Sequence, residues 1–199
     1  HSFPTRRSSD LTLAAYAPAW KQTPQLMTAQ VQSGPGAVVI WAGGNDLRYG
    51  NTDPSTSHGG TRISYATIYN GDGTGAGDPQ PLMNSIRTGI QTTAQFVKNA
   101  NPAVPIAICA VPHVGTAPEV KAQWPTDEVR TGRITAALDS LNADLKSWTE
   151  NTLGGVWVDT YTESKALLTG TWEIGGGTFI NASDTVAAPS PAAPHNRYL

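Results

Sequence analysis

The segment Trp41-Ala42-Gly43-Gly44-Asn45-Asp46-Leu47 gathers the residue types best suited to chemistry in this chain. It leaves the apolar run Ala37 to Ala42, which reads as a buried strand. Open parallel α/β sheets place their ligands beyond the carboxyl ends of such strands. Gly43 and Gly44 allow a tight turn with close backbone approach to a ligand. Asn45 supplies a neutral amide donor, a group that stabilises a developing oxyanion without a charge that must first be desolvated. Asp46 can hold the turn through its own hydrogen bonds. The same residue types are also what a sharp turn after a strand prefers, so on these four residues alone an oxyanion donor and a plain turn are both open readings.

Other chemical groupings are weaker. Asn70 to Asp78 places side-chain oxygens at the first, third, fifth and ninth positions of a calcium-type loop, but Pro81 stands where the bidentate Glu belongs. A loop that caps the next helix through Asp78 is the simpler reading, and no metal or cofactor is expected. Asp139-Ser140-Leu141 lies inside an amphipathic helix, where a Ser cannot sit on a strand-end elbow. A Gly-x-Ser-x-Gly elbow is absent from the sequence. A nucleotide-binding turn would need Gly-x-Gly-x-x-Gly between strand and helix, whereas Gly43-Gly44 is followed by Asn45 and Asp46. Of Trp20, Trp41, Trp124, Trp148, Trp157 and Trp172, most fall on apolar strands or helix stripes and read as core. Trp124 and Trp172 fall in expected loops, and they are the candidates for sugar stacking if the chain is a non-catalytic carbohydrate-binding or surface protein.

Strands alternating with helices must position these groups, the pattern of an α/β domain with a largely parallel sheet. Leu26 to Gln32 is a short helix candidate that Gly34-Pro35-Gly36 breaks. Arg48 to Pro81 is rich in Gly, Asn, Asp, Ser and Thr and reads as a long surface excursion. Asp78 then caps a helix with Pro79 in its first turn; Ile86, Ile90, Ala94 and Val97 share a face, and Asn101-Pro102 stops it. Val104 to Val111 is the next strand. After the turn-rich stretch Pro112 to Pro125, Thr126 caps a long helix whose stripe is Ile134, Leu138, Leu141, Leu145 and Trp148. Gly154-Gly155 ends it before the strand Val156-Trp157-Val158. Thr162 to Leu168 reads as a short helix, and Gly170 to Pro194 as irregular loop.

Composition narrows the partners. The 199 residues carry a net charge of -2 with 14% charged side chains, which gives no electrostatic footprint for a phosphate backbone, so no nucleic-acid partner is expected. No apolar run approaches the ~20 residues that span a bilayer, so no transmembrane segment is expected. His1 to Leu11, HSFPTRRSSDL, is similar to the in-frame translation of a common short-read sequencing adapter. Those residues are set aside as an artefact, which leaves 12–199 as one domain expected to be truncated at both ends.

With its neighbours added, Gly43-Gly44-Asn45-Asp46 resembles the Gly-x-Asn-Asp block of the SGNH/GDSL hydrolase family, sitting after an apolar strand as it does there. Leu26 to Val31 resembles the helix that precedes this block in the esterase branch. Val111 to Pro118 resembles the family's Pro-Asp-x-Gly-x-x-Pro segment, with His113 in place of the Asp; His113 reads as a loop residue rather than a catalytic base. Leu141 to Leu145 and Val156 to Asp159 are similar to later family elements.

The resemblance implies a flavodoxin-like three-layer αβα sandwich with a mostly parallel sheet. It implies cleavage of a small-molecule ester or acylated carbohydrate by a Ser nucleophile, a His base and an orienting Asp. Asn45 would serve the oxyanion hole, supported by Gly43 and Asp46. The family's Gly-Asp-Ser block has no match in 12–42, and neither His58 nor His195 has an Asp three residues before it. Nucleophile and Asp/His pair are therefore expected to be missing here and the chain itself inactive. Low charge and abundant Thr, Gly and Pro, with the resemblance, suit a secreted or periplasmic bacterial protein.

Overall fold

The computed structural model describes residues 32, 34, 36–50, 63–169, 171–174 and 177–180. The expectations for residues 1–31, His58, Trp20, His195 and the stretch after Ile180 lie outside the described residues.

Short runs of branched apolar residues form a parallel sheet of three strands, β1 (Val38–Ile40), β2 (Ile106–Cys109) and β3 (Val156–Val158), in the order β1-β2-β3. Ile40 lies beside Ile108, and Ile108 beside Trp157. Parallel neighbours cannot be joined by a tight turn, so each crossover is long and carries helices. Between β1 and β2 lie α1 (Gly44–Tyr49), α2 (Tyr65–Asn70) and α3 (Gln80–Ala100). Between β2 and β3 lie α4 (Pro118–Gln123) and α5 (Arg130–Trp148), and α6 (Tyr161–Ala166) follows β3. This is an α/β fold. Among the described residues no helix is long and apolar enough to cross a membrane.

Both crossovers step along the sheet in the same direction, and right-handed connection then puts α3 and α5 on one face. Burial agrees. Ile40, Ile106 and Ile108 point into a core shared with Ile86, Ile90, Ala94 and Val97 of α3 and Ile134, Leu138, Leu141 and Leu145 of α5. The expected stripes of both long helices are thus the ones buried, Trp148 only in part. On the opposite face Val39, Val156 and Val158 are exposed, as is Trp41 just beyond β1. The first strand, expected to be buried on both sides, is therefore half-buried. Hydrophobicity alone does not distinguish a two-sided strand from one whose second face is uncovered among the described residues.

Other local expectations need correction. Arg48 to Pro81 is not all loop: it holds the end of α1, α2, and a 3-10 turn at Gly75–Gly77. In α2, Ser64 and Thr67 form a reciprocal capping box, a signal that the Gly- and Asn-rich surroundings obscured. Pro112 to Pro125 likewise contains a 3-10 turn, Val114–Thr116, and α4, which starts at Pro118. The Asp78 carboxylate accepts the Gln80 N–H as expected, though Pro79 occupies the cap itself. For α5 the holding side chain is Asp127, whose Oδ1 accepts the N–H groups of Val129 and Arg130, while the Thr126 hydroxyl donates to the Leu168 carbonyl. The helix starts at Arg130 as a result. Past Leu168, where loop was expected, β4 (Thr171–Ile174) and β5 (Gly177–Ile180) pair as an antiparallel hairpin.

Candidate active site

The chain leaves β1 through a conformation that only glycine accommodates. Gly43 has φ +98, and a Cβ there would come within 2.8 Å of Ile86 Cγ2 and 2.9 Å of Val111 Cγ2. Gly44 then opens α1 against Pro112 and Val114, so the turn after β1 packs on the turn after β2. Asn45, in the first turn of α1, is half-buried, and Asp46 in the same turn is fully buried. A carboxylate is favoured by the N-terminal end of the helix dipole, and the Asp46 carbonyl accepts the Gly50 N–H that closes the helix. Gly43, Asn45 and Asp46 thus sit together at the carboxyl end of the sheet, where the sequence put them.

His113 links the turn after β2 to the rest of that edge. It is fully buried, with Nδ1 accepting the Gly115 N–H at 3.2 Å and Nε2 3.1 Å from Thr135 Oγ1. The Thr135 hydroxyl donates to the Thr131 carbonyl, which leaves its oxygen to accept from Nε2–H. The ring is therefore neutral and occupied at both nitrogens. Burial pushes its pKa down to about 4, with the Lys165 charge acting in the same direction. It stacks on Tyr161 and meets Tyr65 edge-on. Ser164 approaches the main chain of His113, not the ring: its Oγ accepts the His113 N–H at 2.9 Å and donates to the Tyr161 carbonyl. No Ser–His nucleophilic pair arises here. His113 does lie in the loop after β2, as expected, and its buried ring makes it a structural node of the core.

Two further side chains tie this edge together. The buried Asn142 on α5 accepts the Val111 N–H with its Oδ1 and donates through Nδ2 to the Val111 carbonyl, satisfying the backbone where β2 has ended. Its signal in the sequence was a lone amide set among Leu138, Leu141 and Leu145. Thr160, just after β3, donates its hydroxyl to the Ala110 carbonyl at 2.7 Å. Gly115 must be glycine because a Cβ would overlap the Tyr65 hydroxyl. Burial raises the pKa of that hydroxyl to about 12, so it stays protonated at physiological pH.

The calcium-like loop uses its carboxylates internally. Asp72 Oδ1 accepts from the Thr74 N–H and hydroxyl, which lowers the Asp72 pKa, and Asp78 is engaged with Gln80. Among the described residues no cluster of three His, Cys, Asp or Glu side chains could hold a metal. The tryptophans also differ from expectation. Trp124 packs partly buried against the core beside Tyr65, whereas Trp41 is 66% exposed. Trp172 lies in β4 rather than in a loop. Compared with known protein families, curated proteins and solved structures, the chain matches none.

Proposed function

We propose that residues 12–199 belong to an ester hydrolase of the SGNH/GDSL type, acting on an acyl ester or an acylated carbohydrate. The observation that carries this reading is the Gly43-Gly44-Asn45-Asp46 turn at the carboxyl end of β1. Its backbone is fixed by a glycine that cannot be replaced without overlap, and it is braced by the turn after the neighbouring parallel strand. That is a rigid mount for an amide donor, and oxyanion stabilisation depends on donors fixed before charge develops. In this reading Asn45 donates to the oxyanion, Gly43 sets the turn and Asp46 holds the first turn of α1.

The exposed apolar face formed by Val39, Trp41, Val156 and Val158 supports the three-layer form, since parallel sheets are covered on both faces. The reaction needs a Ser nucleophile and a His base oriented by an Asp, and the chain has neither a Gly-Asp-Ser nor an Asp-x-x-His sequence. His113 cannot substitute, because both ring nitrogens are already bonded in the core.

Two outcomes are expected. The chain itself should show no turnover of a simple acetyl ester that a serine-directed phosphonate abolishes; such turnover would overturn the role assignment. In a form extended to carry the Gly-Asp-Ser and Asp-x-x-His blocks, Asn45→Ala should lower kcat by ~10²-fold with KM little changed, the usual magnitude for a lost oxyanion donor. An unchanged kcat would leave Asn45 as a turn residue.

A further inference from the structure

Trp157 occupies an unusual place. It sits on the inner face of β3, beside Ile108, but β3 is an edge strand among the described residues, so α5 covers only part of the indole. The uncovered part borders a cleft of about 520 Å³ between β3, α5 and α6. Tyr161 is buried at the base, with Lys165 Nζ 5.6 Å from its ring centroid, so Trp157 is the aromatic surface left open. Around it stand Asp139, Lys146, Asp159 and Lys165. Lys165 pairs with Asp139 at 2.7 Å, and Lys146 pairs with Glu150. Asp159 accepts the N–H groups of Tyr161 and Thr162 and the Thr162 hydroxyl.

This chemistry selects among ligands. Each cation is matched by a carboxylate, so a phosphate or other anion gains no net attraction. A wholly apolar ligand would strip water from charged groups and return no hydrogen bonds. A ligand with one apolar face and a rim of hydroxyls fits both parts. The apolar face lies on the indole, and the hydroxyls reach donors and acceptors of both signs that are already held in place by their pairing. We propose that this cleft is a binding site for a neutral saccharide, with Trp157 as the stacking platform. The proposal is independent of the ester chemistry, because it requires neither Asn45 nor turnover.

The test uses the full chain with cellohexaose and xylohexaose as probes, read by saturation-transfer NMR and by quenching of tryptophan fluorescence. Saturable binding of at least one probe below about 10 mM is expected, in the weak range for a shallow site. Ala143 lies exposed on α5 at the cleft wall, so Ala143→Trp fills the cleft without touching the core. It should weaken binding at least 10-fold while the circular dichroism spectrum stays unchanged. Trp157→Phe, which keeps an aromatic ring in the packing, should weaken it several-fold. A hexamer of galacturonic acid should bind more weakly than the neutral probes. Absence of binding, equal binding by Ala143→Trp, or preference for the acidic hexamer would each overturn the proposal. Sugar binding by the chain, together with no ester hydrolysis by the form extended to carry the Gly-Asp-Ser and Asp-x-x-His blocks, would sink only the catalytic reading.

Discussion

Gly43→Ala should cost the fold about 3 kcal/mol, read as a lower urea midpoint with an unchanged m-value. Two effects add. At φ +98 an L-residue is strained by ~1–2 kcal/mol. The new methyl would also meet Ile86 and Val111 at 2.8 and 2.9 Å. Both neighbours are β-branched and fully buried, so neither can swing aside, and overpacking of this kind costs ~1–3 kcal/mol. Gly44→Ala is the internal control. Its Cβ would sit 3.5 Å from Pro112 and 3.6 Å from Val114, ordinary contact distances, and its φ is not positive. At the first position of α1 an alanine should be neutral or slightly stabilising. Equal effects of the two substitutions would show that the turn is not fixed by Gly43, and the rigid mount for Asn45 would go with it.

The contrast between these adjacent glycines marks where sequence reading stops. The sequence places both in a turn after a strand; Gly43 makes that turn, and Gly44 already begins α1. Which of them is indispensable depends on Ile86 and Val111, two residues 25 positions apart that meet only in the folded core. The long helices were legible because their apolar residues repeat at helical spacing and their ends carry Pro79, Asn101 and Gly154. The short helices α2 and α4 were not. Each holds six residues, too few for a period to stand out from the Gly, Asn and Pro around them. The open face of the sheet was illegible for a different reason: Val39 and Ile40 are equally apolar, and only the direction of the crossovers decides which one α3 and α5 cover. At the candidate site, Gly43, Asn45 and Asp46 were singled out by residue type. Asn142, Ser164 and Thr160 were not, since their partners are backbone groups far away along the chain.

The same distant packing gives His113 a measurable effect on stability. In the unfolded chain its imidazole titrates near 6.5; in the fold, burial holds it at about 4. Between these values the unfolded state binds a proton that the native state refuses, so stability rises with pH across the window and falls as the solution is acidified. The contribution is fully present above pH 6.5 and is lost by the time pH has dropped through about 4, with a total of about 3 kcal/mol from a shift of this size. Protonation would also put a second N–H on Nδ1, which now accepts from Gly115, and so would set two donors against each other inside the core. The measurement is urea unfolding at pH 7, 5.5 and 4 for the wild-type chain and for His113→Gln, which cannot titrate. The variant should be less stable at pH 7, because glutamine does not fill the space between Tyr65 and Tyr161. It should also lose less stability on acidification, the difference isolating His113 from the carboxylates that titrate in the same range. An NMR titration in which the His113 ring protons shift near pH 6.5 in the native protein would refute the buried neutral imidazole. It would reopen the ring as an acid–base group at the carboxyl edge of the sheet.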